Sequence, residues 1–157
     1  MSKIKKINAV VITSTFNEDI VNNLYLGVER CFSDNALKGK IFRIFVPGAF
    51  ELPYMAKQVI DKEGDNPLID CNCIITLGCI IKGETAHFEY ISNACANALA
   101  NLTLQSKIPI MFGVITAYDK DQAIARSKTD FNSNENLNIG YNAADAAIKT
   151  LVSLEDI

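Results

Sequence analysis

The chain has 157 residues, 49% of them hydrophobic and 21% charged, with a formal net charge of -3. This is an ordinary soluble globular composition with room for one real core, so a single domain over 1–157 is expected. No basic run favours nucleic acid and no apolar run approaches a membrane span, so neither partner is expected.

Ile7 to Thr13, INAVVIT, is apolar and β-branched and reads as a buried strand. Ile20, Leu24, Val28, Cys31 and Phe32 then recur at helical spacing, which predicts a helix over roughly 19–35. Ile41 to Val46 is a second strand, and Leu52 to Glu63 a second helix stopped by Gly64 to Pro67. Cys73 to Leu77 is a third strand that Ile80 and Ile81 extend, followed by a long alanine-rich helix from Ala86 to Leu104. Ile108 to Ile115 is a fourth strand, with Pro109 tolerated near its start. Asp119 with Gln122 suggests a capping box and a short helix through Arg126. A polar loop, SKTDFNSNENLN, leads to a last helix near Gly140 that buries Ala143, Ala144, Ala147, Ile148 and Leu151.

Strand and helix alternate throughout, which predicts a parallel sheet with helices on both faces. Ligands of such sheets bind beyond the carboxyl ends of the strands. The loops there are Ser14–Asn17, Pro47–Glu51, Gly78–His87 and Thr116–Tyr118. No GxGxxG follows the first strand, which disfavours a dinucleotide fold. The N-terminal MSKIKKIN reads as too short and polar for an export signal. The cysteines, Cys31, Cys71, Cys73, Cys79 and Cys95, are odd in number and read as reduced, buried thiols of a cytoplasmic protein. The Cys71–Cys73 pair has no nearby histidine, so no metal is expected.

The densest chemistry lies in LGCIIKGETAHFE, Leu77 to Glu89. A buried strand meets a glycine-bearing turn and then the only histidine, His87, at a helix start. Histidine suits proton transfer near neutral pH, and free N–H groups at a turn and helix start suit a phosphate. A lone histidine is weak evidence by itself.

TSTFN with Ile20, VPGAFELP, ITLGCIIKGETAHFEY and IPIMFGVIT with QAIAR, taken together, resemble the lumazine synthase family over nearly the whole chain. The resemblance implies an α/β fold, a flavodoxin-like three-layer sandwich with a four-stranded parallel sheet flanked by helices. It also implies a reaction. A ribitylamino-pyrimidinedione amine condenses with 3,4-dihydroxy-2-butanone 4-phosphate to give 6,7-dimethyl-8-ribityllumazine, phosphate and water, without metal or organic cofactor. By the same resemblance Phe16 stacks on the pyrimidine, and Ala49, Phe50 and Glu51 hold the ribityl chain. Cys79, Ile80 and Ile81 flank the heterocycle, Glu84 and Thr85 hold phosphate through the turn's N–H groups, and His87 moves protons. Phe112 and Arg126 are lent by a neighbouring subunit, with Arg126 on the phosphate. Taken singly, Phe16 also reads as a simple core or surface aromatic, Phe50 as core, Glu51 as a helix cap and Arg126 as a solvated charge.

Two departures stand out. Where the familiar bacterial pattern has a lysine before the last helix, this chain reads Asn138-Ile139-Gly140, after a longer, asparagine-rich loop. Only Met1–Lys6 precedes the first strand, where relatives have a longer arm that pairs with a neighbour. The expected partners are therefore small-molecule substrates and copies of the same chain, a homo-oligomer. A pentamer is favoured over a decamer or a sixty-subunit shell, because relatives with long loops there do not close a shell. A phosphate-handling enzyme of another kind is disfavoured by the absence of a G-x-S-x-G elbow and of a P-loop lysine. A non-catalytic flavin or lumazine carrier would need neither His87 nor the phosphate contacts.

Overall fold

The computed structural model describes residues 4–62, 70–132 and 136–157. Its four strands are β1 (Ala9–Ser14), β2 (Ile41–Val46), β3 (Cys73–Ile81) and β4 (Ile110–Ala117). They form one all-parallel sheet in the order β2-β1-β3-β4. The helices are α1 (Glu18–Asp34), α2 (Leu52–Asp61), α3 (His87–Gln105), α4 (Lys120–Ala125) and α5 (Ile139–Leu154). The expected three-layer α/β sandwich is therefore present. The helix stop placed at Gly64 to Pro67 and part of the polar loop before α5 lie outside the described residues.

The central strands explain the unbroken apolar runs. Every residue of β1 is buried, and so is all of β3 before Ile81, as strands covered on both faces require. Alternate residues split the core. Val11, Ile75 and Leu77 pack toward α1 and α5, while Val10, Ile12 and Ile74 pack toward α2 and α3. All five apolar positions expected on α1 are buried, as are Ala143, Ala144, Ala147 and Ile148 of α5; Leu151 is half-buried.

Pairing sets the strand ends, keeping the expected extension of β3 and shifting the start of β4. β3 runs on to Ile81 because β4 continues beside it, Ile81 lying opposite Ala117. β4 starts after Pro109, which has no N–H to give; its carbonyl accepts from the Ile74 N–H at 3.0 Å. At α4 the Asp119 side chain accepts from the Gln122 N–H (2.8 Å), but the Gln122 side chain returns to the Tyr118 N–H (3.0 Å), one residue earlier than a capping box requires. All five cysteines are buried and none forms a disulfide.

Candidate active site

The carboxyl end of the sheet is tied together before any ligand is considered. After β1, the Thr15 and Phe16 N–H groups donate to the carbonyls of Val46 (2.8 Å) and Pro47 (3.0 Å) at the end of β2. Asn17 takes up the left-handed region at φ 56°, which asparagine tolerates better than most residues. Its Nδ2 donates to the Cys79 carbonyl at 2.9 Å. The loop is thus bonded to both neighbouring strands, while the Phe16 ring stays 71% exposed. A fixed backbone carrying an open aromatic face is suited to stacking on a planar ligand.

After β2, residues Ala49–Glu51 form a short 3-10 turn. Glu51 Oε2 accepts from the Gly48 N–H at 2.8 Å, so the carboxylate braces its own turn. Read alone, Glu51 is a cap for α2, yet it makes no side-chain cap bond there. Ala49 is buried beneath, and Phe50 is exposed.

After β3, the Lys82 N–H still belongs to the sheet edge and donates to the Ala117 carbonyl (2.9 Å). The chain then turns through Gly83, Glu84 and Thr85. The Thr85 hydroxyl accepts from the N–H of His87, the first residue of α3, at 3.3 Å. The N–H groups of Gly83, Glu84, Thr85 and Ala86 donate to no acceptor among the described residues. They remain available to an anion at a helix start, where the dipole favours negative charge. The His87 imidazole is exposed and makes no hydrogen bond or ion pair among the described residues.

These three loops enclose a cavity of about 530 Å³. It is lined by Phe16, Ala49, Phe50 and Glu51 from the loops after β1 and β2, and by Cys79, Ile80, Ile81, Thr85 and His87 from the end of β3 and the segment that follows it. Glu84 shares the turn but does not line the cavity, and Phe112 and Arg126 lie away from it. Phe112 is exposed on the edge strand β4, and Arg126 closes α4 with its side chain in solvent. Gly48, Gly83, Phe88 and Ile91 also line the cavity and were not singled out from sequence. A signal for Ile91 existed: it lies four residues after His87, on the same helix face. Glu89 lines a separate cavity of about 370 Å³ with Tyr118.

Burial pushes the Cys79 thiol up to about 11, so near neutral pH it is an uncharged, apolar part of the wall. The same cause pushes Cys31 and Cys73 up to about 12 and Cys95 up to about 11. A thiol raised in the fold leaves stability intact below its unfolded pKa and withdraws it as pH rises through the folded one. The urea midpoint is therefore expected to hold level from about pH 6 to 8 and to fall between about pH 9 and 12. A Cys73→Ala variant should show a shallower fall; an unchanged fall would show that other groups control it.

A sequence model of the 6,7-dimethyl-8-ribityllumazine synthase family matches residues 6–155. The chain belongs to this family. It is 36% identical to 6,7-dimethyl-8-ribityllumazine synthase 1 of Caulobacter vibrioides over 148 residues, 94% of this chain and 90% of that one. It is also 36% identical to the 6,7-dimethyl-8-ribityllumazine synthase of Vesicomyosocius okutanii subsp. Calyptogena okutanii over 125 residues, 79% of this chain and 74% of that one. Members are transferases of riboflavin biosynthesis. They condense 5-amino-6-(D-ribitylamino)uracil with 3,4-dihydroxy-2-butanone 4-phosphate, and the chain is an enzyme of this kind.

Proposed function

We propose that the cavity at the carboxyl end of the sheet is where the lumazine ring is built, and that a neighbouring subunit completes it. The observation that carries this reading is the meeting of an open aromatic face, a braced carboxylate, an unbonded imidazole and a turn with free N–H groups around one space. The pyrimidine lies on Phe16 beside Cys79, Ile80 and Ile81, with its ribityl chain along Ala49, Phe50 and Glu51. The phosphate of the butanone sits on the turn of Glu84 and Thr85. The pyrimidine's amine attacks the ketone and water leaves to give an imine. Phosphate then departs as an enol forms, the enol becomes a ketone, and the ribityl-bearing nitrogen closes the ring with loss of water. Orientation of two reactive molecules supplies much of the rate, and His87 moves protons between them.

Phe112 and Arg126 do not reach this space in their own chain, which suits their assignment to a neighbour's site. Helix α3 supports assembly too. Only Cys95 and Leu99 of it are buried, while Tyr90 is 74% and Leu104 85% exposed, with Ala94 and Ala98 open between them. The assembly is a homopentamer of cytoplasmic location, with the long Ser127–Asn138 loop set against shell closure. Sedimentation is expected to give the mass of five chains. The mass of one chain would overturn the shared site, and that of sixty would overturn the pentamer alone.

The deciding experiment is turnover with both substrates, read as the rise of lumazine absorbance. Tight lumazine binding without turnover would mark a carrier. In the same assay Arg126→Ala is expected to raise the KM for the butanone phosphate about tenfold or more, the loss of a charge-assisted pair of roughly 1.5–3 kcal/mol. The KM for the pyrimidine should stay near normal, and lysine should rescue only partly. Equal effects on both substrates would make Arg126 an interface residue.

A further inference from the structure

The turn that carries Arg126 is held by bonds that do not involve the arginine side chain. The Arg126 N–H donates to the Gln122 carbonyl (3.2 Å), and its carbonyl accepts from the Ile139 N–H (2.9 Å). Ser127 is buried and its hydroxyl donates to the Ile124 carbonyl at 3.2 Å. The Arg126 side chain makes no hydrogen bond or ion pair among the described residues. Nothing in its own chain aims the guanidinium except the position of this turn.

Behind the turn lies Asn138, a polar side chain 0% exposed. Its Nδ2 donates to the carbonyls of Lys128 (3.0 Å) and Asn23 (3.1 Å). Its Oδ1 accepts from the Tyr141 N–H at 3.0 Å, capping α5. One amide therefore joins the Arg126 turn, helix α1 and the start of α5. Gly27 makes the room, since a Cβ there would stand 2.2 Å from Asn138 Oδ1. A hydroxyl or carboxylate could keep the cap but not both donations. Leaving the two carbonyls unpaired would loosen the turn from α1.

We propose that Asn138 is the positioning residue for Arg126, fixing the Arg126–Lys128 turn against α1 so that the guanidinium meets the phosphate-bearing substrate in one place. The proposal rests on the reading of Arg126 as a phosphate-binding residue. It assigns Asn138 no contact with substrate.

The test compares Asn138→Ser and Asn138→Asp, which keep a cap oxygen but cannot make both donations, with Arg126→Ala and the double variants. The expected result is a rise of about tenfold in the KM for the butanone phosphate, as for a displaced binding group. The kcat and the KM for the pyrimidine should stay within about twofold, and the Ile139 N–H should exchange faster. Added to Arg126→Ala, either change should raise that KM no further, because both act through one contact. A purely structural asparagine would lower Tm and leave the KM alone, or add to Arg126→Ala; either result overturns the proposal, as does loss of the fold in both variants. If Arg126→Ala itself leaves that KM unchanged, the phosphate reading of Arg126 has failed and the proposal falls with it.

Discussion

Gly140→Ala is expected to leave little folded enzyme. Helix α5 lies against α1 with Gly140 facing the Leu24 carbonyl, and a Cβ there would stand 1.9 Å from that oxygen. The atom in the way is backbone, at the buried Leu24 in the middle of α1, so no rotamer change relieves it. The two helices must separate, and Leu24, Val28, Ala144 and Ala147 then lose the packing that fills this face of the sheet. Overpacking commonly costs about 1–3 kcal/mol, and this approach belongs at or above the upper end. Against a typical stability of roughly 5–15 kcal/mol, the loss reads as a lowered urea midpoint and poor soluble yield. Gly83→Ala is the control, because a Cβ there meets nothing within 4 Å. Its midpoint should move by no more than about 0.5 kcal/mol equivalent. Equal midpoints for Gly140→Ala and wild type would show that α5 reseats without cost.

Much of this arrangement could be read from residue order alone, and the exceptions share a cause. The buried strands β1 and β3 are contiguous apolar runs, and the α1 stripe repeats every three or four residues, so local pattern sufficed. The loops that carry Phe16, Glu51 and His87 are legible as neighbours because each follows a strand at the same end of a parallel sheet, while the roles of Phe16 and Glu51 come only from the family resemblance. What local pattern does not carry is contact between distant segments. Asn138 looked like one more polar residue in an asparagine-rich loop, yet it is buried by α1, more than a hundred residues earlier in the chain. Nothing near Arg43 in the sequence marks it, yet its guanidinium lies over Tyr25 (4.0 Å) and Phe45 (4.6 Å) and donates to Asn22 Oδ1 (2.6 Å). Gly140 gave no sign in sequence that α1 would approach its Cα so closely. Phe112 and Arg126 are different again, because the site proposed for them is shared between subunits and a single chain does not display it.

His87→Ala is expected to lower kcat by about 10²-fold or less while leaving both KM values near normal. General acid–base catalysis commonly contributes roughly 10²–10⁴-fold, and here the orientation of the substrates survives the change. The parts that would hold them are independent of the imidazole. Phe16 is fixed by backbone bonds to β2, and Glu51 by its bond to Gly48. The anion-facing turn keeps the Thr85 bond to the residue 87 N–H whatever side chain stands there. The fold should tolerate alanine as well, since the imidazole is exposed and bonded to nothing among the described residues. A proton carrier whose removal leaves the binding surfaces intact must appear in kcat, and added imidazole should restore part of the loss. Chelators are expected to leave wild-type turnover unchanged, as the chain's single histidine would be a proton carrier and not a ligand. Wild-type turnover in His87→Ala at neutral pH would remove His87 from the mechanism. Inactivation of the wild type by a chelator, reversed by zinc, would turn it into a metal ligand. A large rise in both KM values would instead make the imidazole part of the binding surface, with proton transfer left to solvent.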